Sequence, residues 1–354
     1  MKFLVIQQKM IGDVLTSSIL CEALKMRFPE SEVHYLINSH TAAVVAHHPF
    51  IDQLIYYTPA IEKSSRLQKQ LRQELYDHTY DVVIDVYSKL GSARMARATK
   101  AKMIIGYKKW YTHTAYTHSY TYNEVAQTEA GLAIENRMKL LQAIDSNFPA
   151  AIKPKIYLTA AEIAFAKAQL DQHQLLQKGS LFMIGVLGSS PDKTYPLEQL
   201  AHILDALVAE TSGQLLFNYI PSQLEQVEAL YHYCKAETKK HIHLEIYGKS
   251  LREFMALTYH CKALIGNEGG AVNMAKALEV PTFAIFSPWI KKQAWALYEN
   301  DKNVAVHLAD LYPEYYDRPN YKKLKKKVSS YYDQLKSSYV IARLQEFLRV
   351  IEQI

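Results

Sequence analysis

Short apolar runs alternate with helical patterns along most of this chain, and this alternation limits its fold more than any other feature. In the first half the runs are FLVI (3–6), VHYLI (33–37), QLIYY (53–57), VVIDV (82–86) and MIIGY (103–107). Helix-like segments separate most of them. Such alternation is typical of a parallel sheet covered by helices. The sequence therefore predicts an α/β domain in the first half.

The alternation breaks once and then restarts. Two prolines interrupt the stretch 148–179, and a helix is expected to begin near Thr159. Further strands are expected at 181–187, 214–220, 241–246, 263–266 and, as the last strand, 281–287. A chain of 354 residues is long enough for two sizeable cores. We therefore predict two Rossmann-like, doubly wound domains at 1–158 and 159–335, and a C-terminal helix at 336–354 that packs back on the first domain.

Composition excludes several classes of protein. Hydrophobic residues are 49% and charged residues 21%, as in ordinary globular domains. No apolar run approaches the roughly 20 residues needed to cross a bilayer. Three widely spaced cysteines (Cys21, Cys234 and Cys261) argue against a disulfide framework and favour the cytoplasm. Net charge is a modest +6 and no nucleic-acid recognition motif is visible, so we expect no binding to nucleic acid. We also expect a monomer.

One acid follows the first strand. Asp13 comes directly after Gly12, at the start of the next predicted helix. An acid in this position can stabilise the helix N-terminus, and it can equally act as a catalytic base. A dinucleotide-binding loop would read G-x-G-x-x-G, and this loop has a single glycine. The loop therefore argues against NAD and leaves the two roles of the acid open.

Two later loops have the composition of a phosphate site. Ser189, Ser190 and Lys193 offer two hydroxyls and an ammonium between a strand and a helix. Gly269 and Gly270 open another helix, whose free amides can approach an anion because no Cβ intervenes. Each loop taken alone could also be a polar turn. Ligands in open α/β sheets bind at the carboxyl ends of strands, where both loops are expected.

Other polar residues near these loops have two interpretations each, one functional and one structural. Glu225 could bond a ribose and Lys249 could line a base pocket, although each could equally be a solvated surface residue. The pair His241 and His243 is expected on an exposed strand face rather than at a metal. No Asp-x-Asp motif occurs, which fits a reaction without a metal ion.

Taken together, these motifs resemble glycosyltransferase family 9, the heptosyltransferases of lipopolysaccharide core synthesis. The similar segments are GDVL (12–15), RFP (27–29), YDVVIDV (80–86), KTYP (193–196), SLRE (250–253), NEGGAVNMA (267–275) and FSP (286–288). They follow the family order over about residues 1–290. The resemblance implies the GT-B fold, in which two Rossmann-like domains face a cleft.

The resemblance also implies an activity and a set of roles. The family transfers a sugar with inversion and without a metal from a nucleotide sugar, typically ADP-heptose, to a lipopolysaccharide core or related cell-envelope acceptor. Asp13 matches the family's base, with Gly12 and Thr16 on the acceptor side. Lys193 matches the lysine that contacts the donor phosphates. The segment 268–270 matches the loop that holds the diphosphate, and no cofactor beyond the donor is implied.

Four positions depart from the family pattern. Glu268 replaces an aspartate, Gly269 a threonine, Asn273 a histidine and Ser287 a glycine. Because these changes cluster on the donor side, two alternatives stay open. The chain could use a different donor sugar, or it could bind a nucleotide sugar without transferring it.

The implied acceptor is an anionic glycolipid of the inner membrane leaflet. The basic run KKLKKK (322–327) and the tyrosines of 312–332 would suit peripheral contact with the inner face of that membrane. A solvated basic face is the alternative reading.

Overall fold

The computed structural model describes residues 1–317 and 319–352. The chain divides into two compact units, Met1–Tyr157 with Gln293–Leu297 and Leu158–Lys292 with Tyr298–Ile354. This division differs from the predicted domain limits at Gln293–Leu297, which lies within the range predicted for the second domain. The segment belongs to the first unit, where Leu297 lies beside Gly131. Within the described ranges, no helix combines the length and apolar character needed to cross a bilayer.

The first unit contains a sheet of six parallel strands. They are β1 Lys2–Ile6, β2 Glu32–Asn38, β3 Gln53–Tyr57, β4 Val82–Asp85, β5 Met103–Tyr107 and β6 His118–Tyr120. Their order across the sheet is β3-β2-β1-β4-β5-β6. The helices of this unit are α1 Ile11–Ser17, α2 Ile19–Arg27, α3 Pro59–Lys63, α4 Ser65–Asp77, α5 Leu90–Ala98 and α6 Leu132–Lys139.

The second unit contains another sheet of six parallel strands. They are β7 Leu181–Gly185, β8 Gln214–Asn218, β9 Ile242–His243, β10 Ala263–Asn267, β11 Thr282–Ile285 and β12 Asn303–Val306, in the order β12-β11-β10-β7-β8-β9. The remaining helices are α7 Ala160–Gln172, α8 Leu197–Thr211, α9 Leu224–Tyr233, α10 Ala236–Lys239, α11 Leu251–Tyr259, α12 Gly270–Ala277, α13 Lys292–Trp295, α14 Tyr321–Lys326, α15 Val328–Tyr332 and α16 Ser337–Glu352. Of these, α13 lies mostly in the first unit.

Both sheets have the same doubly wound strand order. The chain moves outward from β1 to β3 and then returns to the other side of β1 with β4, and β7, β8, β9 and β10 repeat this path. The point of reversal lies between β1 and β4 in one sheet and between β7 and β10 in the other. The loops that leave the carboxyl ends of these paired strands form the usual ligand crevice of such folds. The predicted α/β class with two doubly wound sheets is confirmed.

The C-terminal helix packs on the second sheet, so its predicted position on the first domain was wrong. Its apolar side chains are part of the core of the second unit; they are Val340, Leu344, Phe347, Leu348 and Ile351. The ring centroids of Phe347 and Phe283 are 5.6 Å apart. The helix has a strong apolar face, but a sequence pattern does not state which sheet covers it. Residues 353 and 354 of the expected helix lie outside the described residues.

Several element limits also differ from those expected. The strand expected at 241–246 is only Ile242–His243, and Asn303–Val306 adds a strand after the one expected to be last. The helical stretch after β1 is divided into α1 and α2 at Ser18, whose hydroxyl donates to the Leu15 carbonyl at 2.8 Å. A hydroxyl that bonds the preceding turn competes with regular helix geometry.

Helix α7 begins where its sequence predicts. The Thr159 hydroxyl accepts from the Glu162 amide at 3.2 Å, and Glu162 Oε2 accepts from the Thr159 amide at 2.8 Å. This reciprocal pair is a capping box. Arg252 on α11 then donates to both oxygens of Glu162, at 2.7 and 2.6 Å. The cap therefore also holds α7 against α11.

Candidate active site

Lys193 and Glu268 meet at the reversal point of the second sheet. Lys193 lies in the loop after β7, and Glu268 is the first residue after β10. The Lys193 Nζ is 3.2 Å from Glu268 Oε1. The glutamate is buried, whereas the lysine side chain is 24% exposed. The lysine is therefore positioned by an acid and still open to a ligand.

Asn267 fixes the loop that carries Lys193. Its Oδ1 accepts from the Tyr195 amide at 2.7 Å, and its Nδ2 donates to the carbonyls of Val186 and Gly185 at 2.8 and 3.1 Å. The loop also packs on itself, because a Cβ at Gly188 would lie 2.3 Å from the Lys193 carbonyl oxygen. Both ends of the loop are thus tied to the end of β10.

The start of α12 is open to an anion. Gly269 precedes the helix with a φ of 153°, a conformation that favours glycine. A Cβ at Gly269 or Gly270 would meet no atom within 4 Å. The first amides of an α-helix lack partners within the helix and carry a partial positive charge. The structure therefore places an unobstructed helix N-terminus next to the Lys193–Glu268 pair.

Ser189 and Ser190 line a cavity of about 380 Å³ with Gln223 and Gln226. Glu225, which the sequence offered for ribose binding, is exposed on α9 and is not one of the lining residues. The geometry therefore favours the two glutamines as polar neighbours of the serines, and sequence reasoning missed both.

The remaining donor-side candidates lie on separate elements. Lys249 is exposed, and its backbone amide donates to Glu253 Oε2 at 3.0 Å. Asn273 lies in the first turns of α12 and is partly exposed. Ser287 is fully buried and donates to the Asp192 carbonyl at 2.7 Å. The serine that replaces a family glycine therefore helps to hold the Lys193 loop.

Asp13 lies in the first turn of α1, close to the end of β1. Its Oδ1 accepts from Arg137 Nη2 at 2.7 Å, while Oδ2 is 3.5 Å from the Met10 amide, at the limit of a hydrogen bond. The side chain is 26% exposed. One carboxylate oxygen is thus firmly held, and the other has only a long contact.

Arg137 is another functional candidate that sequence reasoning missed. It is buried on α6, where Nε donates to the Ser17 hydroxyl at 2.8 Å and Nη1 to the Ala133 carbonyl at 2.6 Å. Together with the bond to Asp13, three of its donors are used. A planar guanidinium held in this way fixes the direction of the carboxylate. The pair is 124 residues apart in sequence, so no local pattern marks it.

The other acceptor-side candidates have backbone roles. Gly12 is the second residue of α1. Thr16 is fully buried, and its hydroxyl donates to the carbonyls of Gly12 and Asp13 at 2.9 and 3.2 Å. We therefore assign this hydroxyl to the helix and give it no substrate contact.

Asp85 is a second buried acid of the first unit, at the end of β4. It accepts from the Ser88 amide and the Tyr116 hydroxyl, both at 2.9 Å. Burial raises the pKa of this carboxyl to about 6, against the effect of these hydrogen bonds. Since the Asp85 side chain has no exposed surface, we assign it to the structure of the loop.

The two histidines of β9 and its border are bonded within the protein. His241 Nδ1 is 3.1 Å from the Gly213 carbonyl, and His243 Nε2 is 2.7 Å from Gln214 Oε1. In the described part of the chain, no group of three or more histidine, cysteine or acidic side chains has the geometry to hold a metal ion.

Two doubly wound sheets of six parallel strands with flanking helices are the architecture of the GT-B fold. The model of glycosyltransferase family 9 (heptosyltransferase) matches residues 67–323, and the chain belongs to this family. It is 22% identical over 290 residues to the lipopolysaccharide heptosyltransferase 1 of Campylobacter coli, covering 81% of this chain and 84% of that protein.

Solved structures show the same fold. The family 9 glycosyl transferase of Veillonella parvula superposes with a TM-score of 0.78 at 20% identity, over 98% of this chain and 97% of that chain. The E. coli heptosyltransferase WaaC with ADP superposes with a TM-score of 0.64 at 16% identity, over 87% of this chain and 93% of that chain. The predictions of family, GT-B fold and glycosyltransferase class are confirmed.

Proposed function

We propose that this glycosyltransferase transfers a heptose from ADP-heptose to a lipopolysaccharide core or a related anionic glycolipid, with inversion and without a metal ion. The observation that carries the proposal is the Lys193–Glu268 pair beside the open N-terminus of α12. The names of the relatives support the sugar and the acceptor, and the ADP in the WaaC structure supports the nucleotide.

On the donor side, Lys193 would bind the diphosphate together with the amides of Gly269 and Gly270. Transfer breaks the bond between the anomeric carbon and the diphosphate oxygen, so negative charge develops on the leaving group. A preorganised ammonium and a helix N-terminus stabilise that charge without the help of a metal. One such interaction can contribute about 10²–10³-fold in rate. Transfer that persists at full rate in excess chelator would support this, and its loss would refute metal independence.

On the acceptor side, Asp13 would act as the base. Oδ2, the oxygen with the long contact, would take the proton of the acceptor hydroxyl while Arg137 holds Oδ1. The hydroxyl oxygen then forms the new bond to the anomeric carbon as the nucleoside diphosphate leaves from the opposite side. General base catalysis of this kind contributes about 10²–10⁴-fold. The products are the glycosylated acceptor, the nucleoside diphosphate and a proton on the carboxyl.

We also propose that the enzyme works in the cytoplasm, as a monomer at the inner face of the membrane that carries its acceptor. All five lysines of 322–327 are exposed, whereas Leu324 among them is buried. This exposed positive charge supports attraction to an anionic surface. Vesicles that contain anionic lipid should bind the wild type more than a variant with Lys322, Lys323, Lys326 and Lys327 changed to Gln. Equal binding of the two proteins would refute the membrane contact.

Turnover of a donor panel tests the proposed function. The enzyme would be assayed with the ADP, GDP, UDP and CDP forms of heptose and hexose donors and a core glycolipid lacking its terminal heptose. Nucleotide release that depends on both ADP-heptose and the acceptor is the expected result. Faster transfer of another sugar would replace the proposed donor, and binding of donors without any transfer would refute catalysis.

A further inference from the structure

The basic run 322–327 contacts the loop between β7 and α8 that carries Lys193, here called the donor loop, as well as solvent. Lys325, on α14, forms an ion pair with Asp192, whose Oδ2 is 3.1 Å from the Lys325 Nζ. Asp192 is the residue directly before Lys193. The Lys325 side chain is 53% exposed, and the Asp192 side chain 22%. One lysine of the run therefore lies next to the candidate phosphate site.

A tryptophan brings the two lysines together. The Trp289 ring centroid is 5.6 Å from Lys193 Nζ and 4.5 Å from Lys325 Nζ. The indole Nε1 donates to the Asp192 carbonyl at 3.0 Å, which holds the ring against the loop. A cation over an aromatic face is attracted by the ring quadrupole. Trp289, which follows β11, therefore holds both ammonium groups beside the donor loop.

Each of the two lysines is balanced by its own acid. Glu268 pairs with Lys193 and Asp192 pairs with Lys325. A hydrogen bond from Ser190 and, to a smaller extent, Lys325 lower the pKa of Asp192, so that this partner stays charged. An ammonium has three donors, and its acid uses only part of them. Both lysines therefore retain donors for a further anion.

Resting on the proposed function, we propose that Lys325 is a second phosphate-binding residue of the donor site and that Trp289 positions it beside Lys193. Two ammonium groups at one ring match a ligand with two adjacent phosphates better than a ligand with one. The inferred selectivity is therefore for nucleoside diphosphates over monophosphates.

Nucleotide affinity measured by titration calorimetry tests this inference. The wild type, Lys325→Gln and the matched control Lys326→Gln would be titrated with ADP, AMP and adenosine, and the wild type also with GDP, UDP and CDP. Lys326 is an exposed neighbour on α14, so its change removes the same charge. Lys325→Gln should weaken ADP binding about tenfold, or ~1.4 kcal/mol, and AMP binding less than about threefold. Lys325→Arg should restore most of the ADP affinity.

The outcomes separate the two claims. If the affinity of Lys325→Gln for ADP is within about twofold of that of Lys326→Gln, the role of Lys325 is refuted while the proposed function stands. If the wild type binds none of the nucleoside diphosphates, the proposed function fails, and this inference fails with it. Tryptophan fluorescence gives a second readout, since ADP should change the emission of the wild type and leave that of Trp289→Phe nearly unchanged.

Discussion

Replacing Asn267 with leucine should loosen the donor loop and destabilise the second unit. The side chain is 3% exposed and makes three hydrogen bonds, one to the loop and two to the end of β7. Leucine has a similar size and no polar atoms. The Tyr195 amide and the Gly185 and Val186 carbonyls would each lose this partner.

The magnitude follows from those three contacts. A hydrogen bond contributes about 0.5–1.5 kcal/mol net, and a buried group left without a partner costs about 1–3 kcal/mol. The added apolar burial of leucine offsets part of this loss. We therefore expect the free energy of unfolding to fall by roughly 2–4 kcal/mol. For a unit of this size, each kcal/mol lowers the melting temperature by about 2–4 °C.

Thermal and urea unfolding of Asn267→Leu would measure this loss. Asn273→Leu is the matched control, because this partly exposed asparagine lies in the same unit; its stability should change by less than about 0.5 kcal/mol. The donor KM of Asn267→Leu should also rise, since the loop carries Lys193. A melting temperature for Asn267→Leu within about 1 °C of the wild type would refute the reasoning.

Two further predictions concern charged pairs. Arg137→Lys should lower kcat by about 10–100-fold and leave ADP affinity within about twofold, because a lysine cannot hold Asp13 with the fork geometry of a guanidinium; equal kcat values would contradict this. Bonding to Arg252 and Thr159 lowers the pKa of Glu162 to about 2, below its ordinary value of 4.5. The stabilisation is therefore present above pH 4.5 and is lost as the pH falls toward 2. Glu162→Gln should cost ~1–2 kcal/mol at pH 7 in urea unfolding, and this difference should shrink in acid; a difference independent of pH would contradict it.

The proximity of Lys193 and Glu268 could be predicted because it depends on local order. Lys193 follows one strand and Glu268 another, and the alternating pattern places both strand ends at the same edge of a parallel sheet. The glycine pair after Glu268 marks a helix start that an anion can approach. These signals lie within short stretches of sequence, where hydrophobic period and turn residues are readable.

The parts that were missed depend on packing between distant segments. Arg137 reaches Asp13 from α6, and nothing in the sequence around either residue indicates the pair. Lys325 belongs to a basic run whose sequence predicts a solvent-exposed surface. Its contact with Trp289 depends on the fold. The sheet on which α16 packs was also predicted wrongly, because an apolar helix face does not specify which sheet it covers.

The central claim is that the Asp13 carboxylate takes the proton from the acceptor. With the donor that the panel identifies, single-turnover transfer by Asp13→Asn would be compared with that of the wild type, alongside donor affinity and melting temperature. We predict that transfer falls by about 10²-fold or more while donor affinity stays within about twofold. Transfer by Asp13→Asn within about threefold of the wild-type rate would contradict the account.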